Sequence, residues 1–472
     1  MRKNTCLAVL VVLLAQFSFA QAPSAPPVAE KLTKDWLAAF NSGDKATLQA
    51  FLEKYRPSDV SHVDGLIDFY SRTGGFDFEK VEESTPTHCA ALVKEKNSDQ
   101  FARIVIDIEP DPQHKIAKFE MLAIPRPAEF AIPRMSQKDA VDALGKQLER
   151  DTQTDHFSGA ALVARNGNIL FEQAHGASNR EKKIPNQVNT QFRIGSMNKM
   201  FTAVCILQLV QARKIQLSDP FGKYLSDYAN QDMASKVTIQ QLLTHTGGTG
   251  DFFGPEFDKH RLELKTLQDY VKLYEKRPVA FEPGSRFEYS NYGFILLGVV
   301  IEKVTGQSYY DYVREHVYQL AGMTSTDSLP ETEAVAMRSV GYVKEGPGPW
   351  SDNKDTLPYR GTSAGGGYST VEDLYKFATG LENHKLLDAK HTEMLTTGKV
   401  ETGRGDAKYG FGFFDTSEAG LECFGHGGGA PGMNGDLKIC PKSGYVIVVL
   451  ANMDPPAAQR ISSFAANRLP LN

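Results

Sequence analysis

Long apolar runs, blocks of basic residues and closely spaced cysteines are all scarce in this 472-residue sequence, and each shortage argues against a class of protein or site. No stretch after residue 14 reaches about 18 apolar residues, so we expect no stable membrane span. No lysine or arginine block stands out and the net charge is −5, so nucleic acid is not an expected partner. The 5 cysteines form no Cys-x-x-Cys and there is no His-Glu-x-x-His, so a zinc site has little support.

The remaining composition is that of a globular protein preceded by a targeting signal. Hydrophobic residues make up 41% and charged residues 23% of the chain, and its length indicates two domains, one of them large. Arg2 and Lys3 precede a short apolar run at residues 7–14, and Ala22 ends a small-residue cleavage site. This order is typical of a signal peptide at residues 1–22, so we expect export to the periplasm or the medium.

Residues 23–128 are predicted to form a small α+β domain. The predicted helices are residues 31–41, 45–55 and 63–71, and the predicted strands are residues 76–82, 88–94, 101–108 and 115–124. Helices followed by antiparallel strands, with Phe40-Asn41-Ser42-Gly43-Asp44 between the first helices, resemble the NTF2-like (cystatin-like) fold. Such a fold can hold a small ligand, but no convergent polar set is present. We therefore interpret this segment as an accessory or dimerising domain.

Residues 136–472 are predicted to form the larger domain, after a proline-rich linker. A helix at residues 136–150 comes before a hairpin that turns at Asn166-Gly167. The last predicted elements are strands at residues 421–429, 436–440 and 445–452 and a helix at residues 457–468.

Gly195-Ser196-Met197-Asn198-Lys199 precedes an apolar run at residues 200–207, and the combination indicates an activated serine. The apolar residues recur at helical spacing, so a buried helix is predicted to begin near Ser196. Lys199 would lie one turn along the same face, with its amine within reach of the Ser196 hydroxyl. Burial disfavours a charged lysine, and a neutral lysine can take the proton of a serine nucleophile. The alternative is a serine N-cap followed by an unrelated lysine.

Two later segments offer polar groups for the same pocket. Tyr289 and Asn291 are predicted on a loop before an apolar helix, where a packed tyrosine and a turn-forming asparagine are the alternatives. The predicted strand at residues 421–429 carries His426-Gly427-Gly428-Gly429. His245 follows a short helix, and we interpret it as bracing a loop, with a catalytic role as the alternative.

Two other motif matches are rejected on their context. Ser363 lies in a Gly-x-Ser-x-Gly pattern, but a nucleophile elbow needs a strand before the serine and a helix at once after it, whereas Pro358 precedes and Gly366-Gly367 follows. Gly427-x-Gly429-x-x-Gly432 matches a dinucleotide fingerprint by letters alone, because Pro431 interrupts it and a strand follows.

Ser196/Lys199, Tyr289/Asn291 and His426-Gly427-Gly428 together resemble the motifs of the serine β-lactamase and penicillin-binding-protein-like superfamily, in its class C and DD-peptidase branch. That branch carries Ser-x-x-Lys, then Tyr-x-Asn, then Lys- or His-x-Gly on a strand. The resemblance covers roughly residues 136–472. It implies a mixed α/β (α+β) domain of the β-lactamase/transpeptidase type, with an antiparallel sheet and a helical insertion that holds Tyr289.

The resemblance also implies roles for the motif residues. Ser196 would attack a carbonyl, Lys199 and Tyr289 would accept its proton, and Tyr289 would pass that proton to the leaving group. The N–H groups of Ser196 and Gly429 would form an oxyanion hole. The implied substrate-binding residues are Asn291, His426, Gly428 and Gly429. No metal or organic cofactor is needed for this chemistry.

Two positions depart from the common pattern of the family. His426 stands where many members have lysine, and Gly427 stands where many have a threonine or serine. The hydroxyl that binds a substrate carboxylate in those members is therefore missing here.

We expect an exported serine hydrolase that forms an acyl-enzyme at Ser196 and hydrolyses an amide or an ester. The expected partner is a small-molecule or peptide substrate: a D-amino-acid peptide, a β-lactam or a small ester. The alternative is a catalytically idle penicillin-binding-like sensor of peptidoglycan fragments, and the intact Ser196, Lys199 and Tyr289 argue against it. The oligomeric state is left open.

Cys423 and Cys440 lie on predicted neighbouring strands. If Gly428 faces Gly435 across the turn, Cys423 faces Cys440, because facing residue numbers in an antiparallel pair have a constant sum. A facing pair can meet the geometry of a disulfide, and an exported protein reaches an oxidising compartment. Two free buried thiols are the alternative.

Overall fold

A computed structural model describes residues 26–344, 348–403 and 405–471, and the predicted signal peptide lies outside these ranges. Its N-terminal part is built of helices followed by strands. These elements are α1 (Val28–Asn41), α2 (Lys45–Tyr55), α3 (Val63–Thr73), β1 (Phe76–Ser84), β2 (His88–Glu95), β3 (Phe101–Ile108) and β4 (Ile116–Ile124).

The local sequence explains where these N-terminal elements begin and end. The Asp44 carboxylate caps α2 by accepting the Thr47 N–H, and Gly74 ends α3 in the left-handed region at φ +68°. The strands pair antiparallel in the order β1-β2-β3-β4. Trp36 and Phe40 of α1 belong to the apolar core beneath this sheet. The predicted order of helices and strands is therefore observed, whereas the NTF2-like resemblance stays a prediction.

The larger part of the chain is organised around a second antiparallel sheet. Its first elements are α4 (Gln137–Gln153), β5 (Gly159–Arg165), β6 (Asn168–His175), β7 (Ala177–Asn179), β8 (Ile184–Pro185), β9 (Phe192–Gly195) and α5 (Asn198–Gln211). Its last elements are β12 (Gly367–Ser369), α13 (Val371–Glu382), α14 (Ala389–Thr396), β13 (Val400–Glu401), β14 (Lys408–Tyr409), β15 (Phe414–Glu418), β16 (Leu421–Ala430), β17 (Met433–Cys440), β18 (Tyr445–Ala451) and α15 (Ala457–Ala466). The sheet runs in the order β13-β14-β15-β16-β17-β18-β5-β6.

Between α5 and β12 lies a mainly helical segment. It comprises α6 (Gln231–Lys236), α7 (Ile239–Leu243), α8 (Pro255–His260), α9 (Leu267–Tyr274), α10 (Asn291–Thr305), α11 (Tyr309–Val313), α12 (Gln319–Ala321), β10 (Tyr342–Val343) and β11 (Ser351–Asp352). Tyr289 precedes α10, so the helical insertion implied by the family resemblance is observed.

Both faces of the large sheet are covered by helices. Strand β18 demonstrates this, because Val446, Val448 and Leu450 join one core with α5, α10 and α13, while Ile447 and Val449 join another with α4 and α15. Alternate residues of a strand point to opposite faces, so a strand that is buried on both faces is apolar throughout. The predicted mixed α/β fold with an antiparallel sheet is therefore confirmed.

The predicted cysteine pair forms a disulfide. Gly428 faces Gly435, as the register argument assumed, and Cys423 is bonded to Cys440 with the Cα atoms 4.1 Å apart. Cys89 and Cys205 are free and buried. In the part of the chain that the structure covers, no helix combines the length and the apolar character that crossing a bilayer requires.

Candidate active site

Ser196 lies in a tight turn between β9 and α5. The Lys199 N–H donates to the Ser196 carbonyl oxygen at 3.0 Å, and Ser196 itself is half-buried. The first helical residue is Asn198, so the prediction that the helix starts near Ser196 was early by two residues. The turn places the serine just before the helix N-terminus, where backbone N–H groups and the helix dipole favour negative charge.

Two glycines allow strand β16, which carries His426-Gly427-Gly428, to approach Ser196 closely. Gly195 has φ +51°, and a Cβ there would lie 2.8 Å from the Gly429 nitrogen. A Cβ on Gly428 would lie 1.8 Å from the Ile194 carbonyl oxygen, a distance that no real side chain tolerates. The backbone of β16 therefore passes directly beside the residues that lead into Ser196, and Gly429 remains exposed.

Lys199 is fully buried, and its amine makes three polar contacts. Nζ lies 2.6 Å from Asn291 Oδ1, 2.6 Å from the Ala364 carbonyl oxygen and 3.3 Å from Ser196 Oγ. Amide and carbonyl oxygens only accept, so each takes one N–H of the amine. A neutral amine has two N–H groups and one lone pair, so the lone pair is left facing Ser196 Oγ. In this state Lys199 is arranged to accept the serine proton.

The surroundings of Lys199 favour its neutral form. Burial lowers the pKa of Lys199 to about 7, and the Asp251 carboxylate acts in the opposite direction. The amine lies 4.8 Å from the centre of the Tyr289 ring, which packs over it. The structure thus brings together Ser196, Lys199 and Tyr289, the residues predicted to be catalytic.

Asn291 reaches Lys199 from a helix and not from a loop, so its predicted setting was wrong. Ser290 caps α10 by accepting the Gly293 N–H at 2.9 Å, which makes Asn291 the first helical residue. Tyr289 stays on the preceding loop. The helix fixes the direction of the Asn291 side chain toward Lys199, so the observed setting is more rigid than the predicted one.

His245 packs among aromatic rings behind Lys199. Its Nδ1 accepts the Ser290 N–H at 3.0 Å, and its ring centre lies 4.2 Å from that of Tyr289. Burial first, and Lys199 second, lower the pKa of His245 well below its usual value. These contacts agree with the loop-bracing interpretation, because the ring holds the loop that carries Ser290 and Tyr289.

His426 lies in the site, but both of its ring nitrogens contact protein groups. Nδ1 contacts the Gly427 carbonyl oxygen, which can only accept, so Nδ1 carries the proton. Nε2 then accepts the Tyr409 hydroxyl at 3.0 Å. Burial and Lys199 lower the pKa of His426 to about 3, so the ring is uncharged at neutral pH. Direct substrate binding by His426 stays a prediction.

The Ser363 hydroxyl is engaged in a buried hydrogen bond. Ser363 is fully buried, and its hydroxyl donates to the Phe294 carbonyl oxygen at 2.8 Å. Asp251 and the Ala364 carbonyl are the site groups that sequence analysis missed. No local spacing distinguishes Asp251 from other loop aspartates, and a backbone carbonyl leaves no mark in a sequence. Across the described ranges, no group of three or more His, Cys, Asp or Glu side chains is placed to hold a metal ion.

Known proteins are similar to this chain in sequence and in fold. The family described as Beta-lactamase matches residues 141–470. A Bacillus subtilis (strain 168) protein named as penicillin-binding protein PbpX is 32% identical over an alignment of 301 residues, and the alignment covers 62% of this chain and 70% of that protein. Other curated relatives are matched over 64% of their length.

Solved structures of related proteins are also similar to this chain. The crystal structure of a penicillin binding protein from Bacillus halodurans has a TM-score of 0.61 and 34% identity, covering 67% of this chain and 98% of that one. A D-stereospecific amidohydrolase from Streptomyces sp. has a TM-score of 0.59 and 27% identity, covering 68% and 96%. The chain belongs to the β-lactamase family, in its serine β-lactamase and penicillin-binding-protein-like group.

Proposed function

We propose that this protein is an exported serine hydrolase that forms an acyl-enzyme at Ser196 and hydrolyses an amide or an ester. The observation that carries the proposal is the arrangement around the Lys199 amine. Two short hydrogen bonds engage both N–H groups of the neutral amine, and the third direction points to Ser196 Oγ at 3.3 Å. A serine held beside such a base is activated as a nucleophile.

The reaction then proceeds in two halves. Ser196 Oγ bonds to the substrate carbonyl carbon as its proton passes to Lys199, and Tyr289 relays that proton to the leaving amine or alcohol as the scissile bond breaks. Lys199 and Tyr289 then take a proton from water as its oxygen bonds to the acyl carbon, and they return it to Ser196 Oγ as the Oγ–carbon bond breaks and the acid product leaves. We infer that the N–H groups of Ser196 and Gly429 hold the oxyanion, and loss of one such donor typically costs about 2.7–4 kcal/mol.

The motif His426-Gly427-Gly428 indicates which substrate groups the site can bind. His426 is uncharged and Gly427 has no hydroxyl, so neither provides the groups that bind a carboxylate. The names of matched proteins refer to penicillin binding and to D-stereospecific amide hydrolysis. We propose an amide or ester substrate, such as a D-amino-acid peptide, a β-lactam or a small ester, whose binding does not depend on a terminal carboxylate.

Covalent labelling tests the proposed function. The protein is treated with a fluorophosphonate or a fluorescent penicillin, and the modified peptide is mapped by mass spectrometry. We expect the label on Ser196 and turnover of p-nitrophenyl acetate. A label on Ser363 would contradict the assignment. Reversible binding of peptidoglycan fragments without any covalent label would favour the idle sensor.

We also propose that residues 23–128 form an accessory domain and residues 136–472 the hydrolase domain. Separate apolar cores support this division, because one cluster contains core residues only from Ala29 to Ile116. Ion pairs join the two parts: Glu95 with Arg460, and Asp99 with Arg468 at 2.6 Å, both arginines lying at or next to α15.

A further inference from the structure

Asp251 contacts Asn291, the residue that accepts a hydrogen bond from the Lys199 amine, although no motif includes Asp251. Its Oδ2 accepts from Asn291 Nδ2 at 2.9 Å, and its Oδ1 accepts the Phe252 N–H at 2.7 Å. The Asp251 backbone carbonyl also accepts from the Arg277 guanidinium. Both carboxylate oxygens and the backbone of this residue are therefore held, so the carboxylate has a defined position relative to Asn291.

This position decides which end of the Asn291 amide faces Lys199. An asparagine amide has one accepting and one donating end, and a half-turn exchanges them. An ionised carboxylate only accepts, so Asp251 binds the NH₂ end of Asn291. The carbonyl end then faces Lys199 and takes one of its N–H groups at 2.6 Å. With the amide reversed, Asn291 would donate to the Lys199 lone pair and draw it away from Ser196.

We propose that Asp251 is a positioning residue for the reaction, which acts through Asn291 to direct the lone pair of Lys199 toward Ser196 Oγ. The chain of contacts is continuous: Asp251 Oδ2 to Asn291 Nδ2, Asn291 Oδ1 to Lys199 Nζ, and Lys199 Nζ to Ser196 Oγ. The inference rests on the proposed function, because it assigns a task only if Lys199 serves as the base.

Charge adds a second effect of Asp251 on Lys199. The titratable groups around this amine are Tyr289 on the loop before α10, His245 on the loop after α7, His426 on β16 and Asp251 itself. The pKa of both histidines is lowered, so both are neutral near pH 7. Asp251 is the carboxylate that raises the pKa of Lys199 against burial, which lowers it to about 7. Without the charge of Asp251, Lys199 should lose its proton at a lower pH.

The test uses the full-length protein and the pH dependence of Ser196 modification by a fluorophosphonate. In the wild type, the second-order rate should rise with pH through about 7, as Lys199 loses its proton. Asp251→Asn keeps the shape of the side chain but removes its charge. An amide at this position can both donate and accept, so it no longer fixes the orientation of the Asn291 amide. We expect the rising limb, the pH at which the labelling rate of this variant rises, to be about one unit lower than in the wild type, and its rate at the high-pH plateau to be about tenfold lower.

A matched control removes a charge from a nearby exposed position. Asp258→Asn in α8 should leave both the limb and the plateau unchanged. Asp251→Ala also removes the charge and should move the limb in the same direction, which provides a second variant if Asp251→Asn does not fold.

Each outcome decides the matter. A plateau that falls with the limb unmoved would reduce Asp251 to a structural residue, and a limb that moves with the plateau unchanged would show an effect of charge without positioning. A limb and plateau equal to the wild type would give Asp251 no role. Any of these three results overturns the inference. Failure of the wild type to be modified at Ser196 would instead overturn the proposed function. The two failures are therefore distinguishable.

Discussion

Helices α1 and α5 have the same length, but they bury their residues in different ways. In α1, Leu32, Trp36 and Phe40 are buried, while Lys31 and Lys34 lie toward solvent and form ion pairs one turn away within the same helix. An amphipathic helix of this kind obtains its partners from its own sequence. Its structure can therefore be predicted from local periodicity.

In α5 the polar residues are buried together with the apolar ones. Three carbonyls of residues 362–364 accept hydrogen bonds from Asn198, Thr202 and Lys199, in that order. This segment lies within the rejected Gly-x-Ser-x-Gly pattern, and its backbone carbonyls accept hydrogen bonds from the buried side chains of α5. A buried polar helix thus depends on distant partners, and such partners allow a buried lysine to be neutral while two hydrogen bonds fix the direction of its lone pair.

The largest expected effect is that of removing the nucleophile. Ser196→Ala should lower turnover of p-nitrophenyl acetate by on the order of 10⁴-fold or more, without loss of folding. The matched control is Ser363→Ala, which removes a buried hydroxyl from the segment that supports α5 and should keep the activity. Activity in Ser196→Ala together with an inactive Ser363→Ala would reverse the two roles.

Replacing the buried base should have the next largest effect. Lys199→Arg should reduce turnover by about 10³-fold, because arginine stays charged and cannot accept the serine proton. Steady-state kinetics with circular dichroism would separate this loss from unfolding. Near-wild-type activity in the folded variant would remove Lys199 from the mechanism.

The disulfide offers a test of stability away from the buried polar groups. Its loop has a sequence separation of 17 residues, so we expect Cys423→Ala with Cys440→Ala to lower the free energy of unfolding by about 3 kcal/mol. Denaturant titration would measure the change, with Cys205→Ala as the control for loss of a buried thiol. If a reducing agent leaves the wild-type midpoint unchanged, the bond contributes nothing.

The buried amine should also make stability depend on pH. Lys199 has a pKa of about 7 when folded and its ordinary value of 10.5 when unfolded, so between these values only the unfolded chain holds the proton. The free energy of unfolding should therefore rise with pH across this window, by about 1 kcal/mol per unit relative to Lys199→Met. Parallel curves for the two proteins would indicate a lysine that is charged in the folded state.

The smallest effect is expected at the surface of the N-terminal part. Arg103 pairs with Glu82 at 2.6 Å, and its side chain remains 46% exposed. Because such pairs are screened by water, Arg103→Ala should change stability by less than about 1 kcal/mol and leave labelling of Ser196 unaffected. A larger loss of stability would mean that exposed ion pairs of the N-terminal part contribute as much as buried polar contacts do in the larger part.

These differences explain what could be predicted from the sequence. Helix α2 and strand β3 have the predicted bounds, because their apolar residues recur at one clear period. Ser196 and Lys199 could be paired because their spacing is local. Asn291 was predicted on a loop although it is the first residue of α10, because the polar residues before the apolar run did not indicate that Ser290 caps the helix. Asp251 and the Ala364 carbonyl act through long-range contacts, which no local pattern encodes.

The pairing of β5 with β18 has a consequence for the order of folding. Tyr445 faces Arg165 and Ala451 faces Gly159, so an early strand of the large sheet is completed by one of its last. Contacts so distant along the chain form slowly, whereas β1 to β4 each pair with a neighbour in sequence. During synthesis on a ribosome, the N-terminal sheet can form before β18, the partner strand of β5, has been synthesised. Pulsed hydrogen exchange during refolding should accordingly protect β2 and β3 before β5.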